Sequence, residues 1–255
     1  MNHKIKKLVK KIKTDGYCYI ENQLKKRDCD KIICDLEKIL TLRKKKSLFI
    51  GNKYTRMLIS YFYENNNLLK LISFKNVDLI LKQLIDEHYV LISSNAMDAS
   101  INEKFKTKKD FTPGSNWHTD SRFVGGTRLD KGFNFLVILA LDDFTINNGA
   151  TLFIPGSHLV RKKITKFDKA KPILIKKGTI AILDAALWHR RGDLNNIRRW
   201  SIFSMYGPWF MKPYYNFCEM FGKRINSFSK KQKKLLHYNS TPPKSHFERI
   251  STLNY

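Results

Sequence analysis

Acidic residues are scarce in this chain: 22 against 48 lysines and arginines, a formal charge of +26 over 255 residues. Such an excess brings three kinds of anionic partner into view: nucleic acid, a lipid surface and a charged substrate. The lysines, however, are scattered through every segment. They form no stripe and no aromatic-interleaved cluster of the kind that nucleic-acid grooves use. The chain is also rich in Asn and Ile, a joint bias that an AT-rich coding sequence produces with no partner at all. A nucleic-acid partner is therefore disfavoured. No run of about 18 apolar residues occurs, which speaks against a membrane span. The basic opening, residues 1–16, lacks the apolar core and small-residue cleavage site of a secretory signal.

Cysteine is also sparse, with Cys18, Cys29, Cys34 and Cys218 and no CxxC pair. A disulfide framework is thus excluded, and free thiols in a reducing cytoplasm are the simplest account. What is plentiful is apolar and aromatic material, 42% and 13% of residues, which sets the chain apart from disordered proteins. At 255 residues there is room for one large β-rich domain. Nothing in the sequence speaks to oligomeric state.

Hydrophobic spacing divides the chain into a helical layer over about residues 1–87, a β-rich core over about 88–210 and a C-terminal extension over 211–255, read together as one domain. Ile5, Leu8, Val9 and Ile12 recur at helical spacing among lysines. Asp15-Gly16 then breaks the chain before a short strand, Tyr17–Ile20. A second helix is expected over 28–42 with Asp28 as its N-cap, and a third over about 67–86. From Tyr89 the period changes to that of strands, expected at 88–97, 116–121, 132–141, 150–155, 172–176, 179–184 and 199–206, with glycine-bearing turns between most of them. A basic helix is expected near 226–238. Helices first and many short strands afterwards predict a mostly β fold with flanking α: a jelly-roll barrel backed by the N-terminal helices.

Trp117-His118-Thr119-Asp120 is the most informative local pattern. In a strand, residues two apart face the same way, so His118 and Asp120 can cap one side of a metal. His189, from a neighbouring strand, supplies a third ligand. Two histidines and one carboxylate leave open positions and are associated with non-haem Fe(II) oxygenases. An arginine about ten residues past His189 is placed to hold a dicarboxylic cosubstrate. An H-x-D triplet alone carries little weight in a chain with seven histidines; surface or core imidazoles are the bland alternative.

Further motifs add that weight. Ala140-Leu141-Asp142-Asp143, Asn148-Gly149, Pro155-Gly156-Ser157-His158 and Arg199-Trp200-Ser201-Ile202 follow the H-x-D in order, with His189 before the last. With Asp15-Gly16-Tyr17 near the start, this series resembles the phytanoyl-CoA dioxygenase family of Fe(II)/2-oxoglutarate oxygenases over most of residues 14–210. The resemblance implies a double-stranded β-helix, the cupin-like jelly-roll, holding Fe(II) through His118, Asp120 and His189, with 2-oxoglutarate and O2 as cosubstrates. It implies oxidation of a small-molecule substrate with release of succinate and CO2. Asp120 favours hydroxylation over halogenation, because related halogenating enzymes carry a small residue there.

Arg199 is the expected partner of the far carboxylate of 2-oxoglutarate, since a guanidinium binds two oxygens at once. Ser201 shares its strand face and Asn95 is a further cosubstrate contact. Arg198 points to the opposite face, and an irregular strand would exchange the two arginines. His158 reads as a turn residue. Arg190 and Arg191 stand where family members often carry small residues, so they either favour an anionic substrate or point to solvent. The competing readings are a non-catalytic metal-binding jelly-roll and a basic nucleic-acid-binding protein. Substrate identity lies beyond fold-level analogy.

Overall fold

The computed structural model describes residues 3–46, 50–52, 55–99, 116–121, 123–124, 127–128, 133–160, 164–193, 198–242 and 245. In chain order these form α1 (His3–Asp15), β1 (Tyr17–Ile20), α2 (Lys26–Lys45), β2 (Ile50–Asn52), β3 (Thr55–Ile59), a 3-10 segment (Asn66–Ile72), α3 (Lys75–Leu84) and β4 (Val90–Ala99). Then come β5 (Phe123–Val124), β6 (Thr127–Arg128), β7 (Phe135–Ala140), β8 (Leu152–Phe153), β9 (Lys171–Pro172), β10 (Ile180–Asp184), β11 (His189–Arg190) and β12 (Arg199–Gly207). Two short helices, α4 (Phe217–Phe221) and α5 (Lys230–Leu235), follow. Among the described residues, no helix is long and apolar enough to cross a membrane.

The main sheet has seven antiparallel strands in the order β1-β10-β7-β12-β4-β3-β2, and a smaller sheet runs β11-β8-β9. Helices cover one face of the main sheet and the small sheet lies over the other. The central strands are accordingly buried on both sides, which is why β7 (FLVILA) and β10 (IAILD) are continuous apolar runs rather than alternating ones. One core joins Ile12, Leu36 and Leu81 of the helices to Ile182, Trp200 and Tyr206 of the sheet. A second, between the sheets, contains Ile138, Phe153, Ile173, Ala181 and Leu183.

On β12 the alternation sorts chemistry from packing. Trp200, Ile202 and Tyr206 enter the helix-side core, and the Trp200 indole N–H donates to Glu37 Oε1 of α2 at 2.9 Å. Arg199, Phe203 and Met205 face the other way, into a cavity. The first helix ends at Gly16, whose φ of +85° suits a residue without Cβ. An added Cβ there would lie 2.4 Å from Leu187 Cδ1 and 2.7 Å from His158 Nδ1.

Most of the expected elements are present, with corrections. The second helix starts at Lys26, so Asp28 lies inside its first turn and the N-cap is Lys25, which makes no side-chain cap. The expected helix at 67–86 is a 3-10 segment and an α-helix, parted at Ser73-Phe74; apolar spacing persists across the break and conceals it. Residues 116–121 contribute a single bridge at His118 rather than a full strand. The expected 226–238 helix is a 3-10 segment, Gly222–Ser227, followed by α5. The described strands make two facing sheets and no closed barrel. β2 and β3, which extend the main sheet beyond β4, were not anticipated.

Candidate metal centre and its cavity

The segment carrying His118 is docked by its backbone before any side chain is considered. His118 and His189 form a hydrogen-bonded antiparallel pair, each N–H donating to the other's carbonyl at 3.0 Å. Residues directly opposite in such a pair share a face, and the imidazole centroids are 4.4 Å apart. The Asp120 N–H donates to the Ala185 carbonyl at 2.9 Å, returning the second member of the H-x-D triplet to that face. His118 Nε2 lies 3.7 Å from Asp120 Oδ1, and His189 Nε2 lies 3.6 Å from Asp120 Oδ2. One donor atom from each of the three residues lies within 4.8 Å of the others.

Both rings have a fixed tautomer. The Asn116 carbonyl accepts from His118 Nδ1 at 2.7 Å, and the Leu187 carbonyl accepts from His189 Nδ1 at 2.9 Å. A carbonyl can only accept, so each Nδ1 carries the hydrogen and each Nε2 presents its lone pair to the centre. Burial of His189 lowers its pKa, opposed by the Asp120 carboxylate and assisted by His118; a neutral ring is the form that ligates a metal. The donor set fits a divalent metal that accepts nitrogen and oxygen and retains open positions.

The motifs around the centre hold the backbone. Ser157 Oγ accepts from the Trp188 N–H at 2.8 Å, one residue before His189, and the Ile154 N–H donates to the Trp188 carbonyl at 3.0 Å. His158 turns to the Lys13 carbonyl, 3.2 Å from Nε2, and is a turn residue as expected. Asp142 Oδ2 accepts from the Trp200 N–H at 2.8 Å and Asp143 Oδ1 from the Lys177 N–H at 2.8 Å. Asn148 bridges the Thr145 N–H and the Asp143 carbonyl. These groups pin the ends of β12 and β8.

His118, Asp120 and His189 open onto a cavity of about 260 Å³ that also receives Asn95, Arg191 and Arg199. Arg199 is 2% exposed. Its guanidinium stacks 4.0 Å from the Phe144 ring centroid, while Nε and Nη1 have no hydrogen-bond partner among the described residues. Burial, helped by the charge of Arg191, pushes its pKa down to about 9, so it remains a cation at neutral pH. Asn95 Oδ1 is likewise buried without a partner. Orphaned polar groups around one cavity are what a polar ligand would satisfy.

Other expected residues divide. Ser201 is buried on the Arg199 face, but it does not line the cavity, and its hydroxyl is directed to the Met97 carbonyl at 3.5 Å. Arg198 lies on the opposite face, donates to Asp98 Oδ2 at 3.0 Å and pairs with Glu37. Arg190 donates to the Arg191 carbonyl and to Asp193, each at 3.1 Å, and reaches over the Trp117 ring. Sequence reasoning missed Ser93, Met97, Leu136, Thr151, Phe203, Met205 and Tyr214 as lining residues. Period-two alternation from Asn95 and Arg199 would have found four of these; Leu136, Thr151 and Tyr214 had no sequence signal. A larger groove of about 670 Å³ lies on the far side of Phe144, near Tyr19, Asn147 and Leu174. It has no cluster of metal-type donors among the described residues.

The sequence matches the phytanoyl-CoA dioxygenase family over residues 12–196. A dioxygenase from Talaromyces verruculosus, cdmA, is 29% identical over 87 residues, 32% of this chain. The chain thus spans only 30% of that curated relative's length. Among solved structures, HygX from Streptomyces hygroscopicus with nickel and 2-oxoglutarate bound superposes with a TM-score of 0.65 at 13% identity, covering 84% of this chain and 90% of that one. The epimerase SnoN, in complex with Fe3+, alpha ketoglutarate and nogalamycin RO, gives 0.62 at 14% identity, covering 82% and 86%. At such identities the structural likeness is one of fold.

Proposed function

The chain belongs to the phytanoyl-CoA dioxygenase family of iron- and 2-oxoglutarate-dependent oxygenases, and from that premise we propose that it hydroxylates a small-molecule metabolite, forming succinate and CO2. His118, Asp120 and His189 hold the iron. Bound there, iron supplies the chelation of 2-oxoglutarate and the activation of O2. The two facing sheets are read as the double-stranded β-helix that usually carries such a site.

The protein's own contribution is orientation and exclusion. The Asn116 and Leu187 carbonyls keep both imidazoles in the ligating tautomer. Arg199 receives the far carboxylate of 2-oxoglutarate, and the contact relieves a guanidinium already stripped of water. Asn95 offers its amide to the same ligand, and Ser201 stands behind Arg199 rather than in contact. Phe203, Met205 and Leu136 give the cavity apolar walls that keep water from the reacting centre. Asp120 fills the position that halide would need, which favours hydroxylation.

One observation carries this reading: three donor atoms within 4.8 Å of one another, in the same cavity as a buried arginine with orphaned N–H groups. The test is substrate-independent succinate formation from 2-oxoglutarate with Fe(II). Wild type should form succinate, and His118→Ala and Asp120→Ala should not. Undiminished succinate from either variant would refute the ligand assignment.

A further inference from the structure

The two arginines that follow His189 have different surroundings. Arg190 turns outward to Asp193 and the Trp117 ring. Arg191, just past the end of β11, is 9% exposed and lines the cavity together with His118, Asp120 and Arg199. Thr151 lines the wall beside it, and an added Cβ on Gly192 would meet the Ala150 carbonyl oxygen at 2.3 Å. The backbone that aims Arg191 inward is thus held tightly against its neighbour.

Charge gives this placement a consequence. With the site filled as proposed above, the ferrous ion and Arg199 together balance Asp120 and the two carboxylates of 2-oxoglutarate. Arg191 adds one further positive charge to the wall, and among the described lining residues Asp120 is the one carboxylate. A desolvated guanidinium is also the side chain best matched to a planar or tetrahedral oxyanion.

We infer that Arg191 is a specificity-determining residue which receives an anionic group (carboxylate, sulfate or phosphate) of the substrate, so that the enzyme selects a small organic anion. This rests on the iron and 2-oxoglutarate reading of the site. A substrate tethered at Arg191 would present a neighbouring C–H bond to the metal, and it would leave Arg199 to the cosubstrate.

The test uses the full chain with manganese(II) in place of iron and saturating 2-oxoglutarate, so that nothing turns over. Inorganic phosphate is the probe, observed as manganese-induced 31P relaxation. Wild type should bind phosphate close enough to the metal to enhance relaxation. Arg191→Gln should lose roughly tenfold or more in phosphate affinity, as expected for a desolvated charged contact, and Arg191→Lys should recover part of it. Manganese affinity should stay within about twofold of wild type, and 2-oxoglutarate affinity should fall much less than phosphate affinity, since Arg191 acts on the cosubstrate only through the shared field of the cavity. Absent relaxation in wild type, or equal enhancement in Arg191→Gln, overturns the inference. So does a loss of 2-oxoglutarate affinity in Arg191→Gln as large as the loss for phosphate, which would assign Arg191 to the cosubstrate. Circular dichroism of both variants guards against misfolding. Failure of wild type to bind manganese, or unaltered binding by His118→Ala, would instead strike the underlying metal reading.

Discussion

Replacing Arg199 by methionine separates a binding arginine from a structural one. Burial brings the pKa of Arg199 down to about 9, about three to four powers of ten in proton affinity below an exposed guanidinium. At about 1.4 kcal/mol for each tenfold in proton affinity, the buried charge costs the folded state about 5 kcal/mol. Stacking on Phe144 at 4.0 Å returns at most about 2 kcal/mol. The cost is fully present below pH 9 and fades as the pH rises above it, because folding then no longer carries an unfavourable proton. Methionine keeps the apolar stem and discards the charge, so at pH 7 the ligand-free variant should be more stable by about 1–4 kcal/mol, the range found when buried ions give way to apolar residues. Urea denaturation measures this directly. Repeating it with manganese(II) and 2-oxoglutarate reverses the comparison. At a hundredfold excess over its Kd, the ligand should stabilise wild type by about 2.7 kcal/mol and the variant by less than about 1 kcal/mol. A ligand-free variant less stable than wild type would show that Arg199 is structural, and equal stabilisation of both by 2-oxoglutarate would show that the ligand does not use it.

Arg198→Met should do the opposite: it removes a partner of the fully buried Asp98, costs about 1–3 kcal/mol in stability because a desolvated carboxylate loses a charged contact, and leaves 2-oxoglutarate affinity unchanged by calorimetry. Gly16→Ala combines a left-handed backbone with contacts at 2.4 and 2.7 Å to Leu187 and His158. It should cost about 2–4 kcal/mol by thermal denaturation and weaken metal binding, since the Leu187 carbonyl orients His189. Burial pushes the Cys18 thiol up to about 12 and Cys29 up to about 11. At pH 8 a thiol reagent should therefore modify Cys34 and Cys218 in the folded protein and all four cysteines only after unfolding; rapid native reaction at Cys18 would contradict its burial.

The convergence of His118, Asp120 and His189 was legible because the H-x-D spacing and the later histidine are local patterns, even though residues 116–121 supply one bridge rather than a strand. The parting of Arg199 and Arg198 to opposite faces was legible from alternation: neighbouring extended residues must diverge, and β12 is regular from its first residue, Arg199. The irregularity in its pairing with β4 comes later, between Met205 and Tyr206. Three things were hidden. The fate of Ser201 depends on a cross-strand carbonyl, not on its own face. Asp28 is a good capping type placed one turn too late. Arg190 and Arg191 read alike as a basic pair, and only the turn after β11 sends one to Asp193 and the other into the cavity. The excess of positive charge was visible from composition, whereas the meeting of Arg191 and Arg199 in one cavity required the fold.

The most direct test of the central claim is the visible charge-transfer absorption of an iron(II)–2-oxoglutarate chelate, titrated anaerobically in the absence of substrate. Wild type should develop the band and saturate at one iron per chain, while His118→Ala and Asp120→Ala should remain colourless. A wild-type protein that never develops the band, or an unaltered band in either variant, would contradict the assignment of His118, Asp120 and His189 as the iron ligands.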